Sequence, residues 1–310
     1  VFISERYNKK EAATLCGAAA AVSESITIHC GVTNSNTRHP LVTAGFAYTM
    51  QSLSGGRFVL GIGRGIRILQ QFMGVPEITT AEMEDFAGIM RRLFRGEIVA
   101  NHDGPAGRFP ALLLDPTLDE HLPMSIGGFG ENTLRLAGRC FDEVILHTFF
   151  ADETVVRCVE TVKAAAEQAG RDPDDVRVWS CLATVSDEVP YEKRLMKTVG
   201  RLASYLQAYG DLLVRVNRWD PAVLERFFAD EVVATQRMTA LDHTGTTEVL
   251  EHVAALIPEE WYAASATGSP AQCAAAVRHQ LDLGCDGVIM HGATPAELTP
   301  VVDAYRRGRP

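Results

Sequence analysis

The sequence offers no disulfide framework. Its seven cysteines are an odd number, scattered at positions 16, 30, 140, 158, 181, 273 and 285 with no C-x-x-C among them. Such usage reads as reduced, buried thiols, and a cytoplasmic location is expected from it. Cys285 with His291, or Cys273 with His279, fits no closed zinc pattern, so no metal is expected. A basic excess is missing too: 29 Lys and Arg face 39 Asp and Glu, for a formal net charge of -10. Nucleic acids and anionic membranes need a basic face, so neither is expected as a partner. No apolar run reaches the length of a membrane span. There is no G-x-x-x-x-G-K-[ST] loop and no G-x-S-x-G elbow. Gly61-Ile62-Gly63-Arg64-Gly65 brings its third glycine one residue early for a G-x-G-x-x-G turn, which disfavours a Rossmann nicotinamide site.

What is present is an alternation. Short apolar stretches at Val1–Ser4, Thr27–Gly31, Arg57–Gly63, Pro123–Gly127, Glu143–His147, Val176–Thr184 and Gly287–His291 read as strands. Between them, Lys10–Val22, Pro40–Ser52, Thr80–Phe94, Glu131–Arg139, Asp152–Gly170, Pro270–Leu283 and Pro295–Arg307 read as helices. That rhythm is the signature of βα units around a parallel sheet. Asn101–Pro110 reads as a polar loop, with a short extra strand at Ala111–Leu114. From Tyr191 to about Tyr262 the pattern turns helical and polar, which reads as an insertion in one barrel domain spanning residues 1–310. The strands number about seven where a closed barrel has eight. Because Val1 already starts a strand, the barrel's first strand and helix are expected to be missing from the chain.

In such a barrel the chemistry gathers at the carboxyl ends of the strands. Those ends are Glu5-Arg6-Tyr7, Val32-Thr33-Asn34, Arg64-Gly65, Gly128-Phe129-Gly130 and His147-Thr148. Strand ends meet polar loops in any protein, but here glycine clusters recur there. Ile126 to Gly130 ahead of a helix suits an anion, since bare amides and the helix dipole both favour negative charge. A plain tight turn is the rival explanation.

Three stretches carry a resemblance: Val1-Phe2-Ile3-Ser4-Glu5-Arg6, Gly31-Val32-Thr33-Asn34-Ser35-Asn36-Thr37-Arg38-His39-Pro40, and Leu53-Ser54-Gly55-Gly56-Arg57-Phe58-Val59-Leu60-Gly61-Ile62-Gly63. They resemble the bacterial luciferase-like superfamily, especially its F420-dependent oxidoreductases. The second stretch is similar to the third-strand segment of methylene-tetrahydromethanopterin reductases. The resemblance implies a (β/α)8 TIM barrel with a flavin-like ring against a bulge at the end of the third strand, where such relatives often carry a non-prolyl cis peptide, here at Gly31–Val32 or the next bond along. It implies cofactor contacts from Gly31, Val32, Thr33, Asn34 and Gly63. The phosphate-bearing tail would meet Gly127, Gly128, Phe129, Gly130, His147 and Thr148. Glu5 is the candidate catalytic group, by a polar contact or proton relay, with an ion-pair role as its rival. Arg6, Arg38 and His39 are candidates for substrate, and His39-Pro40 could instead start a helix.

Departures from the family count as well. Some sugar-phosphate dehydrogenases of the superfamily have a histidine and a glutamate where Arg6 and Ile66 stand, so their substrate is not expected. The implied function is hydride transfer between deazaflavin coenzyme F420 and an organic small molecule, in a homo-oligomer, most simply a dimer. The alternatives are an FMN-dependent luciferase-like monooxygenase and a non-catalytic flavin-binding barrel.

Overall fold

The computed structural model describes residues 1–6, 9–119, 121–236 and 239–308. Tyr7, expected at the first strand end, lies outside the described residues. By contacts the chain divides into two compact units. The first is Val1–Ile145 with Thr161–Arg177, and the second is Leu146–Glu160 with Val178–Pro310.

The first unit holds a parallel sheet in the spatial order Phe2–Ile3, Ile28–Cys30, Phe58–Gly63, Met124–Gly127, Glu143–Ile145. Phe58–Gly63 is buried along its whole length, as a strand covered on both faces must be. Gly61 belongs there for want of space: a Cβ would come 2.0 Å from the Cys30 carbonyl oxygen. The segment expected as one strand from Thr27 ends early at Cys30, and Thr33–Asn34 then pairs separately with Ile62–Gly63. The peptide between Gly31 and Val32 is cis.

Thr80–Phe94 forms the expected helix. Thr79 and Glu82 make a reciprocal capping box, which satisfies two orphan donors at its start. Met83, Phe86, Ala87, Met90 and Leu93 are buried on one stripe, at the spacing a helix needs to present one face. The turn after Pro40–Ser54 uses Gly55 at φ 63° and Gly56 at φ 85°, conformations that side chains disfavour.

One reading of this unit is corrected. Asn101–Pro110 is not a loop: Val99–Gly104 and Gly107–Leu112 form an antiparallel hairpin, and the extra strand at Ala111 is its second arm. Its polar, glycine- and proline-containing sequence hid it, because the hairpin is fastened by tertiary contacts. Asp85 accepts from the Ala106 N–H at 2.9 Å and lies 2.9 Å from His102 Nε2. The connection after Gly63 also contains a short helix, Arg67–Phe72, which its exposed mixed sequence does not announce.

In the second unit, the strand ending at Ser186 pairs in parallel with Ala266–Gly268 and with Gly287–His291. Ala266–Gly268 is a further correction, since three residues beside Ser269-Pro270 give no apolar run to read. Leu182, Ala266, Cys273, Ala274, Val277 and Val301 form a core cluster. It joins these strands to the helices Pro270–Asp282 and Pro295–Arg307. Asp152 is the first residue of the helix Asp152–Gln168, and its carboxylate lies 2.7 Å from His279. Tyr191 to Ala263 is built of helices, including a π-helical stretch at Met196–Gly200 followed by Arg201–Asn217. Among the described residues no helix is long and apolar enough to cross a membrane.

Candidate cofactor site

In the first unit the break at Gly31–Val32 is braced from below by charge. Arg38 donates to both Glu5 oxygens, at 2.6 and 3.1 Å, and to the Thr33 hydroxyl at 2.6 Å. Its guanidinium also pairs with Glu11. Thr33 donates to Glu5 at 2.6 Å, and the Ala12 N–H donates to Glu5 at 3.1 Å. The Glu5 side chain is only 3% exposed. Burial pushes its carboxyl upward, but the bonds from Arg38, Thr33 and Ala12 outweigh that and hold it below its ordinary value. The group therefore stays ionised at neutral pH, with its oxygens occupied.

The glycines above the break serve Val32. A Cβ on Gly63 would lie 2.6 Å from Val32 Cγ2, and one on Gly127 would lie 3.2 Å from Val32 Cγ1. Bare backbone at 63 and 127 lets the Val32 isopropyl seat between strands. Asn34 is buried and donates from its amide to the Gly63 carbonyl at 2.7 Å. Next to it the Ser35 hydroxyl is buried with no hydrogen-bond partner among the described residues.

The helix Glu131–Cys140 starts at Gly130 without a side-chain cap. Gly128 donates its N–H to Ile145 at 3.1 Å, and a Cβ there would strike Thr133 Cγ2 at 2.4 Å. Nothing lies within 4 Å of a Cβ at Gly130. An uncapped helix start leaves N–H groups aimed outward, and that donor set suits a phosphate. Glu131 in the first turn opposes an anion, though Arg135 holds it in an i,i+4 pair at 2.7 Å.

Of the expected residues, Glu5, Thr33 and Arg38 are thus brought together, as are Gly31, Val32, Gly63 and Gly127 with their neighbours. His39 caps the helix Pro40–Ser54, its Nδ1 accepting from Leu41 at 3.3 Å. Arg6 is exposed and bridges to Lys10 through its backbone.

His147 and Thr148 belong to the second unit. His147 Nδ1 lies 3.0 Å from the Thr148 carbonyl, which can only accept, so Nδ1 carries the proton. Nε2 then accepts from the Tyr209 hydroxyl at 2.8 Å. Burial pushes the imidazole down to about 4, against the Thr148 bond, and keeps it neutral. Tyr205 packs edge-on to the same ring at 4.7 Å. Thr148 Oγ1 is 3.4 Å from Cys181 Sγ. Sequence reasoning missed Arg201, Tyr205, Tyr209 and Cys181. The available signal was the recurrence of Arg201, Tyr205 and Tyr209 every fourth residue, which puts polar tips on one helix face.

A family model described as luciferase-like monooxygenase matches residues 1–287. The 5,10-methylenetetrahydromethanopterin reductase of Methanolobus tindarius is 30% identical over 191 residues, covering 60% of this chain and 57% of that protein. The protein of the same name from Archaeoglobus fulgidus is 26% identical over 246 residues, covering 79% and 70%. The chain thus spans less than two thirds of the Methanolobus relative, and the same holds at 58% for the one from Methanopyrus kandleri. Among solved structures, the coenzyme F420 dependent tetrahydromethanopterin reductase from Methanopyrus kandleri superposes with a TM-score of 0.76 at 19% identity, covering 97% of this chain and 87% of that one. An F420-dependent secondary alcohol dehydrogenase gives 0.66 at 15% identity, with 99% and 90% covered. The fold is the α/β TIM-barrel fold of these neighbours, and the chain belongs to the luciferase-like monooxygenase family.

Proposed function

We propose that this protein is an oxidoreductase that binds a flavin-type cofactor, with deazaflavin F420 as the form it takes. Its reaction is hydride transfer to or from a small organic substrate. The observation that carries the reading is the braced break at Gly31–Val32. It sets backbone between two strands, bare glycine on either side, and the unpartnered Ser35 hydroxyl one residue past Asn34. A flat ring needs a fixed surface, and Val32, seated in the room that Gly63 and Gly127 leave, holds the backbone of the break in place for it. The reductases and dehydrogenase named above support the choice of cofactor, because F420 stands in two of their names.

When bound, the deazaflavin supplies the hydride chemistry. The chain supplies position. Glu5, held ionised by Arg38, fixes Thr33 and the strand break from behind, in place of the proton relay expected from the sequence. The uncapped start at Gly130 would receive the phosphate of the tail. Arg38 has its donors spent on Glu5, Glu11 and Thr33, so it acts as a brace and not as a substrate ligand.

The test is a fluorescence titration of cofactor-free protein with F420 and with FMN in parallel. Tighter binding of F420 is expected. Tighter binding of FMN would transfer the protein to the monooxygenase reading, and binding of neither would leave a barrel without this chemistry.

A further inference from the structure

One half-buried cation of the second unit is poorly paired. Arg201 opens the helix Arg201–Asn217 directly after the π-helical stretch Met196–Gly200. Such stretches are rare and recur at functional sites, where the extra residue re-aims the side chains that follow. The Arg201 side chain is 17% exposed. Its carboxylate partner Asp242 lies 3.5 Å away through a single Nη2 contact, longer than the roughly 2.7–2.9 Å of a charge-assisted bond. Its Nε is buried with no acceptor among the described residues.

Arg38 makes the contrast. It is equally buried, yet it has two carboxylates and a hydroxyl at bonding distance. Arg201 has one distant carboxylate and the Tyr205 hydroxyl, which lies within reach of both Arg201 and the Thr148 hydroxyl. A guanidinium fork favours a bidentate oxyanion, and an under-paired buried donor is costly until an acceptor arrives. Lys197, one turn earlier, is spent on the Gly292 carbonyl at 2.7 Å and Glu297 at 2.9 Å. Asp242 is held from its far side by Ser204 at 3.0 Å, so it steadies the fork without closing it.

We propose that Arg201, Tyr205 and Thr148 form an oxyanion subsite that takes a carboxylate or phosphate group. Arg201 supplies the charge, and the two hydroxyls donate to the remaining oxygens. The neighbouring Cys181 thiol is kept protonated by burial, so it adds no like charge. This deepens the oxidoreductase reading and rests on it for what bears the anion: an acidic or phosphorylated substrate.

The test titrates sodium phosphate and sodium acetate into the full chain at constant ionic strength, followed by calorimetry. Saturable binding is expected. It should weaken at least tenfold in Arg201→Met, severalfold in Tyr205→Phe, and not at all in Arg226→Met, an exposed control. Because Arg201→Met takes from Asp242 the guanidinium that faces it, Arg201→Met with Asp242→Asn is the second variant, and it should also lose the anion. No saturable binding by the unaltered protein, or equal binding by the double variant, overturns the subsite. A second arm repeats the F420 and FMN titrations on the double variant. Unchanged cofactor affinity is expected, and a parallel tenfold loss overturns the assignment to substrate. If the unaltered protein binds phosphate but neither cofactor, the oxidoreductase reading fails while the subsite stands.

Discussion

Gly63 has no side chain because Val32 occupies the place where one would sit. The added methyl of Gly63→Ala would lie 2.6 Å from Val32 Cγ2, so the isopropyl or the strand must move. Overpacking of this kind costs about 1–3 kcal/mol. The loss should appear in urea unfolding and be accompanied by weaker cofactor binding. In a Val32→Ala background the same change should cost less than half as much, since the colliding atoms are gone. Equal costs in both backgrounds would show that Val32 is not the reason for the glycine. Arg38 gives a second test at this scale. Arg38→Met leaves the Glu5 carboxylate, 3% exposed, without its cation. A buried charge stripped of its partner costs about 3 kcal/mol or more. Glu5→Gln in the same background should recover part of that, because the uncompensated charge is removed. Urea midpoints of the two variants decide it, and no recovery would mean that packing, not charge, carries the loss.

Elements differ in how openly the sequence declares them. Thr80–Phe94, Gly287–His291 and Pro295–Arg307 were legible to the residue, because each combines a regular apolar pattern with its own stop or cap. Thr294, Pro295 and Glu297 form a capping box ahead of Pro295–Arg307. The hairpin Val99–Leu112 and the strand Ala266–Gly268 were not legible, because tertiary partners hold them. The same division runs through the candidate site. Glu5, Thr33 and Arg38 sit near strand ends in recognisable segments. Tyr205 and Tyr209 reach His147 from a helix more than fifty residues away, and no local pattern encodes that meeting. One clasp at this scale is Asn217. Its amide donates to the Phe149 carbonyl at 3.0 Å and accepts from the Ala151 N–H at 3.0 Å. Phe149 itself has φ 62°, a left-handed conformation uncommon for an aromatic residue. Asn217→Leu would leave the buried Phe149 carbonyl unpaired, at about 1–3 kcal/mol, and the half-buried Ala151 N–H without its acceptor. Hydrogen exchange at Ala151 should accelerate well beyond that of the strand Gly287–His291. Unchanged exchange there would mean that the turn is held by something else.

Across the whole molecule, acid should act through histidine before it acts through carboxylate. In each unit an imidazole is held neutral by its surroundings. His29 in the first stacks on Phe2 at 4.1 Å and lies 3.3 Å from Glu143. Burial, helped by Arg177, pushes it down to about 4. His147 in the second is lowered to about 4 mainly by burial. The unfolded chain takes up these protons as pH falls through about 6.5, while the folded chain refuses them until about 4. Their neutral state therefore contributes stability that is full above pH 6.5 and is lost between there and about 4. A drop of that size sets a ceiling of about 3 kcal/mol per histidine. Glu11 and Glu297 are lowered to about 2, so what they add is present above about 4.5 and is lost only in stronger acid. The two windows are separate, which makes the histidine part measurable. All three tryptophans, Trp179, Trp219 and Trp261, lie in the second unit, so fluorescence reports on His147 and circular dichroism on both units. Urea midpoints followed from pH 7.5 to 4 should fall steadily. His147→Gln should flatten the fluorescence-detected fall and His29→Gln the dichroism-detected one. Slopes equal to that of the unaltered protein in both variants would remove the histidines from the account and leave acid sensitivity to the carboxylates alone.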